Sequence, residues 1–240
     1  YIQILMQAMA SSESGRPAVG PQFILNPDWD EMPQPRRMTR GLLKLWGLGF
    51  LGSIVLWQLF GRLSEAAGYE NILESELEQW SVTEQFLLVV VLAPLFEELI
   101  YRLPLQARFR PALVALSLVA GAVFFAGANG IAFWLILLLA VIAGVTAFSS
   151  DLRIAVETWW EKNPRAVIYI VTLIFGLILL VHFDVNWSLP ALLVAPLVVS
   201  PQIWLGLMFT IARVRYGWWA GLALHAAHNG FIWSVSVAIG

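Results

Sequence analysis

The sequence contains no cysteine and little charge. Because none of the 240 residues is Cys, a disulfide scaffold, a thiolate zinc site and a cysteine nucleophile are excluded. Charged residues make up 12% of the chain, whereas a soluble domain of this length needs about 25%. The net charge of −2 gives no basic excess, so we expect no nucleic-acid partner. Hydrophobic residues make up 59%, which is typical of a polytopic membrane protein.

Long apolar runs mark candidate transmembrane spans, each of which needs about 20 residues. The sequence predicts an all-α transmembrane helical bundle of about seven spans, within a range of six to eight. The spans are expected at residues 42–60, 85–107, 112–128, 131–149, 166–186, 189–212 and 217–239. Asn129-Gly130 separates spans three and four, which predicts a tight hairpin. Pro190, Pro196 and Pro201 fall in span six, which should be kinked or begin late.

Two further segments lie outside the spans. Residues 1–40 form a predicted cytoplasmic N-terminal arm, extended and rich in Pro, and residues 41–240 form the transmembrane domain. Segment 151–163 mixes Trp and Leu with charges, which predicts a short amphipathic helix in the membrane interface. A plain cytoplasmic loop is the alternative for that segment.

Basic residues mark every second connection, as the positive-inside rule expects. They precede span one, follow span two, and occupy the connections after spans four and six: Arg36, Arg37, Arg40, Lys44, Arg108, Arg110, Arg153, Lys162, Arg165, Arg213 and Arg215. The loop 61–84 holds one Arg and six Glu. This pattern predicts a cytoplasmic N-terminus and an external C-terminus.

Ionisable residues inside spans are costly and mark functional sites. In span two, Glu98 and Arg102 are four residues apart on a helix and can form an ion pair. Glu97 is rotated by about 100° from Glu98 and cannot use that partner equally well. A buried carboxylate without its own cation can exchange a proton near neutrality, which suits a general base. Alternatively, both glutamates share Arg102 as a structural clamp.

Histidine and asparagine supply the other polar positions. In span seven, His225 and Asn229 lie on one helix face, and His228 is expected to be a packing residue. His182 lies at the end of span five, where the alternative is an ordinary helix end meeting water. The sequence contains neither a His-Glu-x-x-His zinc signature nor a Gly-x-Ser-x-Gly elbow. The remaining chemistry is hydrolysis by a carboxylate-activated water, with or without a metal.

These sites resemble the motifs of the CPBP intramembrane proteases. That family is also called the CAAX protease and bacteriocin-processing or self-immunity family, and it includes the type II CAAX prenyl endopeptidases. Three motifs over about residues 85–235 carry the resemblance: Glu97-Glu98-x-x-x-Arg102, a helix rich in Phe, Gly and Leu that ends in His182, and His225-x-x-x-Asn229.

The resemblance implies a role for each motif residue. Glu97 would activate the attacking water, and His182 would bind or orient it. His225 and Asn229 would stabilise the oxyanion or the water. The rest of the first motif, Glu98 and Arg102, would brace the site. Family members are described as metal-dependent or as metal-free glutamate proteases; a divalent metal such as zinc would be held by Glu97, His182 and His225.

The second motif departs from the family pattern. It commonly reads Phe-x-x-x-His, but Ile178 stands four residues before His182, and Phe175 stands seven before it. In the predicted spans, Glu97 and His182 differ in membrane depth by roughly 10–15 Å. We therefore predict that span five starts deeper and runs past Asn186, where Asn186 and Trp187 make an interfacial end. The alternatives are that the hairpin 112–149 is partly re-entrant, or that His182 is not in the site.

The leading functional hypothesis is an intramembrane endopeptidase that cleaves a membrane or lipidated peptide. The alternatives are a non-catalytic membrane scaffold or accessory subunit, with membrane protein complex partners, and a transporter or proton pathway. The resemblance implies an integral protein of a bacterial cytoplasmic (inner) membrane.

Overall fold

The computed structural model describes residues 35–102, 105, 131–185 and 188–239. Predictions for residues 1–34 of the arm, for span three and for Asn186 lie outside the described residues. The elements follow the order α1 (Pro35–Ala66), β1 (Tyr69–Asn71), α2 (Leu73–Leu77), α3 (Val82–Gln85), π1 (Phe86–Leu92), α4 (Ala93–Glu97), π2 (Glu98–Arg102), α5 (Ile131–Phe148), α6 (Ser150–Lys162), α7 (Pro164–Ile178), a 3-10 turn (Leu179–His182), β2 (Phe183–Val185), α8 (Leu189–Val198), α9 (Ser200–Tyr216) and α10 (Trp218–Ile239).

The described part is mostly helical and contains candidate membrane spans. Four helical stretches among these residues are long and apolar enough to cross a membrane: Met38–Ala66, Arg165–His182, Leu189–Tyr216 and Trp218–Ile239. They correspond to predicted spans one, five, six and seven. The total of seven stays a prediction. The segment 151–163 is largely helical as α6, and its place in the interface also stays a prediction.

The predicted distortion of span six is confirmed. The helix ends at Val198 and a new helix starts at Ser200, with Val199 between them at φ −91° and ψ 12°. Pro201 lies in the first turn of α9, where a missing backbone N–H costs nothing. The proline spacing therefore divides this span into α8 and α9.

The all-α prediction missed a short antiparallel ribbon formed by β1 and β2. Tyr69 pairs with Val185, Glu70 with Asp184 and Asn71 with Phe183. Three-residue strands carry too little alternation to be recognised in a sequence. The ribbon joins the chain after α1 to the chain after α7, so it ties two predicted spans together at one end of the bundle.

The ribbon also corrects the predicted extent of span five. That helix was expected to continue past Asn186, but α7 ends at Ile178 and the 3-10 turn ends at His182. The backbone N–H of Ile72 donates to the carbonyl of His182 at 3.0 Å. Strand pairing satisfies backbone groups that a continuing helix would have bonded internally.

Tyr69 links the ribbon to the start of α8. Its side chain is buried, and its hydroxyl donates to the carbonyl of Ala191 at 2.8 Å. Burial raises the pKa of Tyr69 above its ordinary value, so the hydroxyl keeps its proton. We expect Tyr69→Phe to lower the free energy of unfolding by about 0.5–1.5 kcal/mol through loss of this bond. An unfolding temperature in detergent equal to that of the wild type would contradict the expectation.

Helix α9 is central to the packing of the bundle, because it contacts α1, α7 and α10. Close approach to α1 depends on small residues: Gly52 leaves the space that the Trp204 indole fills. The indole N–H donates to the carbonyl of Leu48 at 2.9 Å. A Gly at position 217, with φ 96°, then turns the chain from α9 into α10. This arrangement places both helices beside residues 82–102.

Candidate active site

Residues 82–102, here called the site helix, carry the first motif. A capping box fixes the start of this helix: the backbone N–H of Ser81 donates to the Glu84 carboxylate at 2.8 Å, and the Glu84 N–H donates to the Ser81 hydroxyl. The Ser81 hydroxyl also donates to that carboxylate and holds the pKa of Glu84 below its ordinary value. The helix contains two wide π-helical segments, of which π2 covers Glu98 to Arg102. Such segments are frequent at functional sites.

The ion pair expected from the sequence spacing is present and fully buried. Arg102 Nη1 donates to Glu98 Oε1 at 2.6 Å. Two further bonds hold the guanidinium from α9, since Nε donates to Thr210 Oγ1 and Nη2 donates to the carbonyl of Gly206, both at 3.4 Å. A buried charge is tolerated only when it is paired and hydrogen-bonded, and Arg102 meets both conditions.

The imidazole of His225 lies between the two carboxylates of the motif. Its Nδ1 is 3.3 Å from Glu98 Oε1, and its Nε2 is 3.5 Å from Glu97 Oε2. The opposite edges of one ring thereby meet two consecutive residues of the site helix. Residues about 100° apart on a helix can share one partner in this way because the two ring nitrogens point apart.

The two glutamates differ in their surroundings. Glu98 has no exposed side-chain surface and shares its Oε1 between Arg102 and His225. The Glu97 side chain keeps 9% of its surface exposed, and its described ion-pair partner is His225 alone. Glu98 is therefore the braced carboxylate, and Glu97 is the carboxylate that remains available to a reactant.

Asn229 and His228 take different positions on α10. Asn229 is half-buried, and its side-chain amide donates to the carbonyl of Val89 at 3.0 Å. This bond holds α10 against π1, two turns before the glutamates. His228 is buried and packs edge-on against Phe50 and Phe209, with ring centroids 6.4 and 6.0 Å away. Its surroundings are those of a packing residue.

His182 does not join the described cluster. It ends the 3-10 turn beside the ribbon, and no hydrogen bond or ion pair between described residues joins its imidazole to Glu97, Glu98 or His225. Phe175, seven residues earlier, does reach the cluster. Seven residues of helix correspond to about 10 Å, so the level of Phe175 and that of His182 differ by nearly two turns.

Sequence reasoning missed the contribution of α9. Arg213 and Arg215 were counted as loop charges, but both are buried in the last turn of this helix. Gly206, Thr210 and Arg213 follow the i, i+4, i+7 spacing of one helix face, and this face lies against the ion pair. A stripe that combines Gly, Thr and Arg within an apolar span was the signal that could have revealed it.

A three-ligand metal site does not fit the described geometry. Among residues 35–102, 105, 131–185 and 188–239, no group of three or more His, Cys, Asp or Glu side chains is placed to hold a metal ion. Of the predicted set Glu97, His182 and His225, the structure brings two together. A catalytic zinc site needs three protein ligands, so no reaction step is assigned to a metal here.

Gly221 of α10 lets this helix approach the buried ion pair. A Cβ atom at this position would lie 3.0 Å from Glu98 Oε2 and 3.1 Å from the Cβ of Arg213. We expect Gly221→Ala to lower the free energy of unfolding by about 1–3 kcal/mol through overpacking. Gly47→Ala is the matched control, because nothing lies within 4 Å of its added methyl group. Equal unfolding temperatures for the two variants would contradict the proposed close approach.

Comparison with known proteins gives one match to a family model. Residues 79–150 match the family model described as Type II CAAX prenyl endopeptidase Rce1-like. The match supports membership of the CPBP family. No curated protein and no solved structure matches the chain.

The CPBP match covers the part of the chain that carries the first motif. Glu97, Glu98 and Arg102 lie inside the matched range, whereas His182, His225 and Asn229 lie beyond its end at residue 150. The family is one of membrane-embedded proteases. Together with the four apolar helices, the match makes this chain an integral membrane protein.

Proposed function

We propose that this CPBP protein is an intramembrane endopeptidase that hydrolyses a peptide bond of a membrane or lipidated substrate, with Glu97 as the base. The proposal rests on one observation, which is that the two adjacent carboxylates have different surroundings. Glu98 is neutralised by Arg102, while the ion-pair partner described for Glu97 is the His225 imidazole, and the Glu97 side chain retains exposed surface. A carboxylate beside an imidazole, in a site that excludes bulk water, is suited to proton transfer.

The reaction proceeds by addition of water and collapse of a tetrahedral intermediate. Glu97 takes a proton from water as the water oxygen bonds to the substrate carbonyl carbon. The Nε2–H group of the His225 ring donates toward the oxygen on which negative charge develops. The intermediate then breaks its C–N bond, and the proton held by Glu97 passes to the leaving amine. Glu98 and Arg102 keep the imidazole and the site helix in place.

The catalytic roles proposed for Asn229 and His182 rest on the family resemblance. Asn229 supports α10 through its bond to Val89, and this positioning contributes to the site whether or not the amide reaches the oxyanion. His182 would have to act from outside the described cluster. Single Ala variants at these two positions distinguish a catalytic role from a supporting one. Replacing a residue that contacts the reacting atoms lowers kcat and changes KM little.

The test is a cleavage assay with the purified full chain in detergent or vesicles. The substrates are a prenylated peptide with a CAAX terminus and a set of membrane-embedded peptides, and the products are identified by mass spectrometry. In water enriched in oxygen-18, a hydrolase places one heavy oxygen in the new carboxylate. The wild type should produce new peptide termini that His225→Ala does not produce. If no such difference is found, the proposal is overturned.

The scaffold hypothesis is distinguished in the same preparation. A scaffold keeps a stable complex with its membrane partners through purification, and that complex is unaffected by His225→Ala. A protease loses product formation in this variant. The position of His182 outside the cluster is compatible with a scaffold, because a non-catalytic protein does not need this side chain in the site.

A further inference from the structure

Phe209 of α9 lies face to face with the imidazole of His225. The two ring centroids are 4.3 Å apart, and the ring planes are inclined by only 20°. Phe209 is 3% exposed, so the stack lies within the protein. Phe175 approaches the same imidazole edge-on, with centroids 6.2 Å apart and planes inclined by 87°. Two rings from two helices therefore confine the imidazole.

The orientation of the imidazole decides whether it can serve both carboxylates. Its nitrogens lie 3.3 Å from Glu98 and 3.5 Å from Glu97, at or beyond the long end of ordinary N–H···O distances. Contacts of this length restrain the ring weakly. Rotation about its last side-chain bond, which has a broad energy profile for His, would move both nitrogens away from their partners. A further restraint on the ring plane is needed, and the stack supplies it.

We infer that Phe209 is a positioning residue that holds the His225 imidazole in the orientation in which its two nitrogens face Glu97 and Glu98. The Phe209 ring also lies 5.4 Å from the guanidinium carbon of Arg102. Phe209 therefore orders His225 and Arg102 together, although it carries no ionisable group.

The first test observes the imidazole directly and is independent of any substrate. The full chain contains three His, so selective labelling gives three sets of imidazole signals, and His225→Ala assigns one of them. We expect the ring current of Phe209 to shift the His225 signals upfield. This shift should be lost in Phe209→Leu and kept in Phe209→Tyr. Unchanged His225 signals in Phe209→Leu would overturn the inference.

The second test measures catalysis and rests on the proposed function. We expect Phe209→Leu to lower kcat by about 100-fold, since a misplaced catalytic group can cost that much, with KM within about threefold. Phe209→Tyr should keep kcat within about threefold of the wild type, because it keeps the stacked face. Wild-type kcat in a Phe209→Leu protein that has lost the ring-current shift would overturn the positioning role.

Met208→Leu is the matched control, because Met208 is equally buried in α9 but faces Gly49 of α1. Loss of activity in this control as well as in Phe209→Leu would show that repacking of α9, and not orientation of His225, lowers kcat, and would count against the inference. Failure of the proposed function has a different result. The wild type then cleaves nothing, while the His225 signals still report whether Phe209 stacks on the imidazole.

Discussion

Replacement of Glu97 by Gln is expected to abolish cleavage while leaving the protein folded. The amide keeps the size of the carboxylate but cannot take a proton from water, and general acid–base catalysis contributes about 10²–10⁴-fold to a rate. We therefore expect kcat to fall about 10³-fold, with little change in KM. The Glu97 side chain contacts His225 at a distance of 3.5 Å, so its loss as an ion-pair partner removes a weak contact only.

Glu84→Gln is the control for this substitution. Glu84 lies on the same site helix and is exposed, and a Gln at this position can keep the capping-box contacts with Ser81. Initial rates of product formation and unfolding temperatures are measured for both variants and the wild type. Full activity in Glu97→Gln would remove Glu97 as the base. A large drop in its unfolding temperature would instead make the carboxylate a structural group, as in the clamp interpretation.

The four candidate membrane helices were predictable from the sequence because apolar length is a direct physical requirement of the bilayer. The break at Val199 followed from Pro196 and Pro201, since proline removes a backbone donor. The ribbon between 69–71 and 183–185 was not predictable. Its paired residues are 112 to 116 positions apart along the chain, and strand pairing over such separations leaves no local pattern.

Part of the candidate site was predictable for the same local reason. The pairing of Glu98 with Arg102 depends on spacing within one helix, and the sequence contains that spacing. The contacts between different helices could not be predicted from the sequence. The imidazole of His225 meets both carboxylates, and Phe209 stacks on it, because α9 and α10 pack against residues 82–102 at one rotation and depth. Hydropathy fixes neither quantity, so α9 was recognised as a span but not as a wall of the site.

Substitution of Arg102 by Met should cause a large loss of stability. It leaves Glu98 as a buried carboxylate without its cation, and breaking one side of a buried pair costs about 3–5 kcal/mol. The guanidinium also packs 4.5 Å from the centroid of Phe175, a cation–π contact that Met cannot reproduce. Thermal unfolding in detergent should therefore shift strongly, and purified protein should lose the fixed geometry of the site.

The double variant Glu98→Gln with Arg102→Met separates the ion pair from the packing. Removing both charges leaves neither member of this pair as an unpaired buried ion, so the double variant should be more stable than Arg102→Met alone, by about 1–3 kcal/mol. Arg62→Met, on the exposed surface of α1, controls for the loss of a cation and should change stability little. If the single and double variants unfolded at the same temperature, the charge of Glu98 would not be what Arg102 neutralises. The distinction between a braced Glu98 and an available Glu97 would then lose its physical basis, because that distinction depends on the hydrogen-bonded ion pair between Arg102 and Glu98.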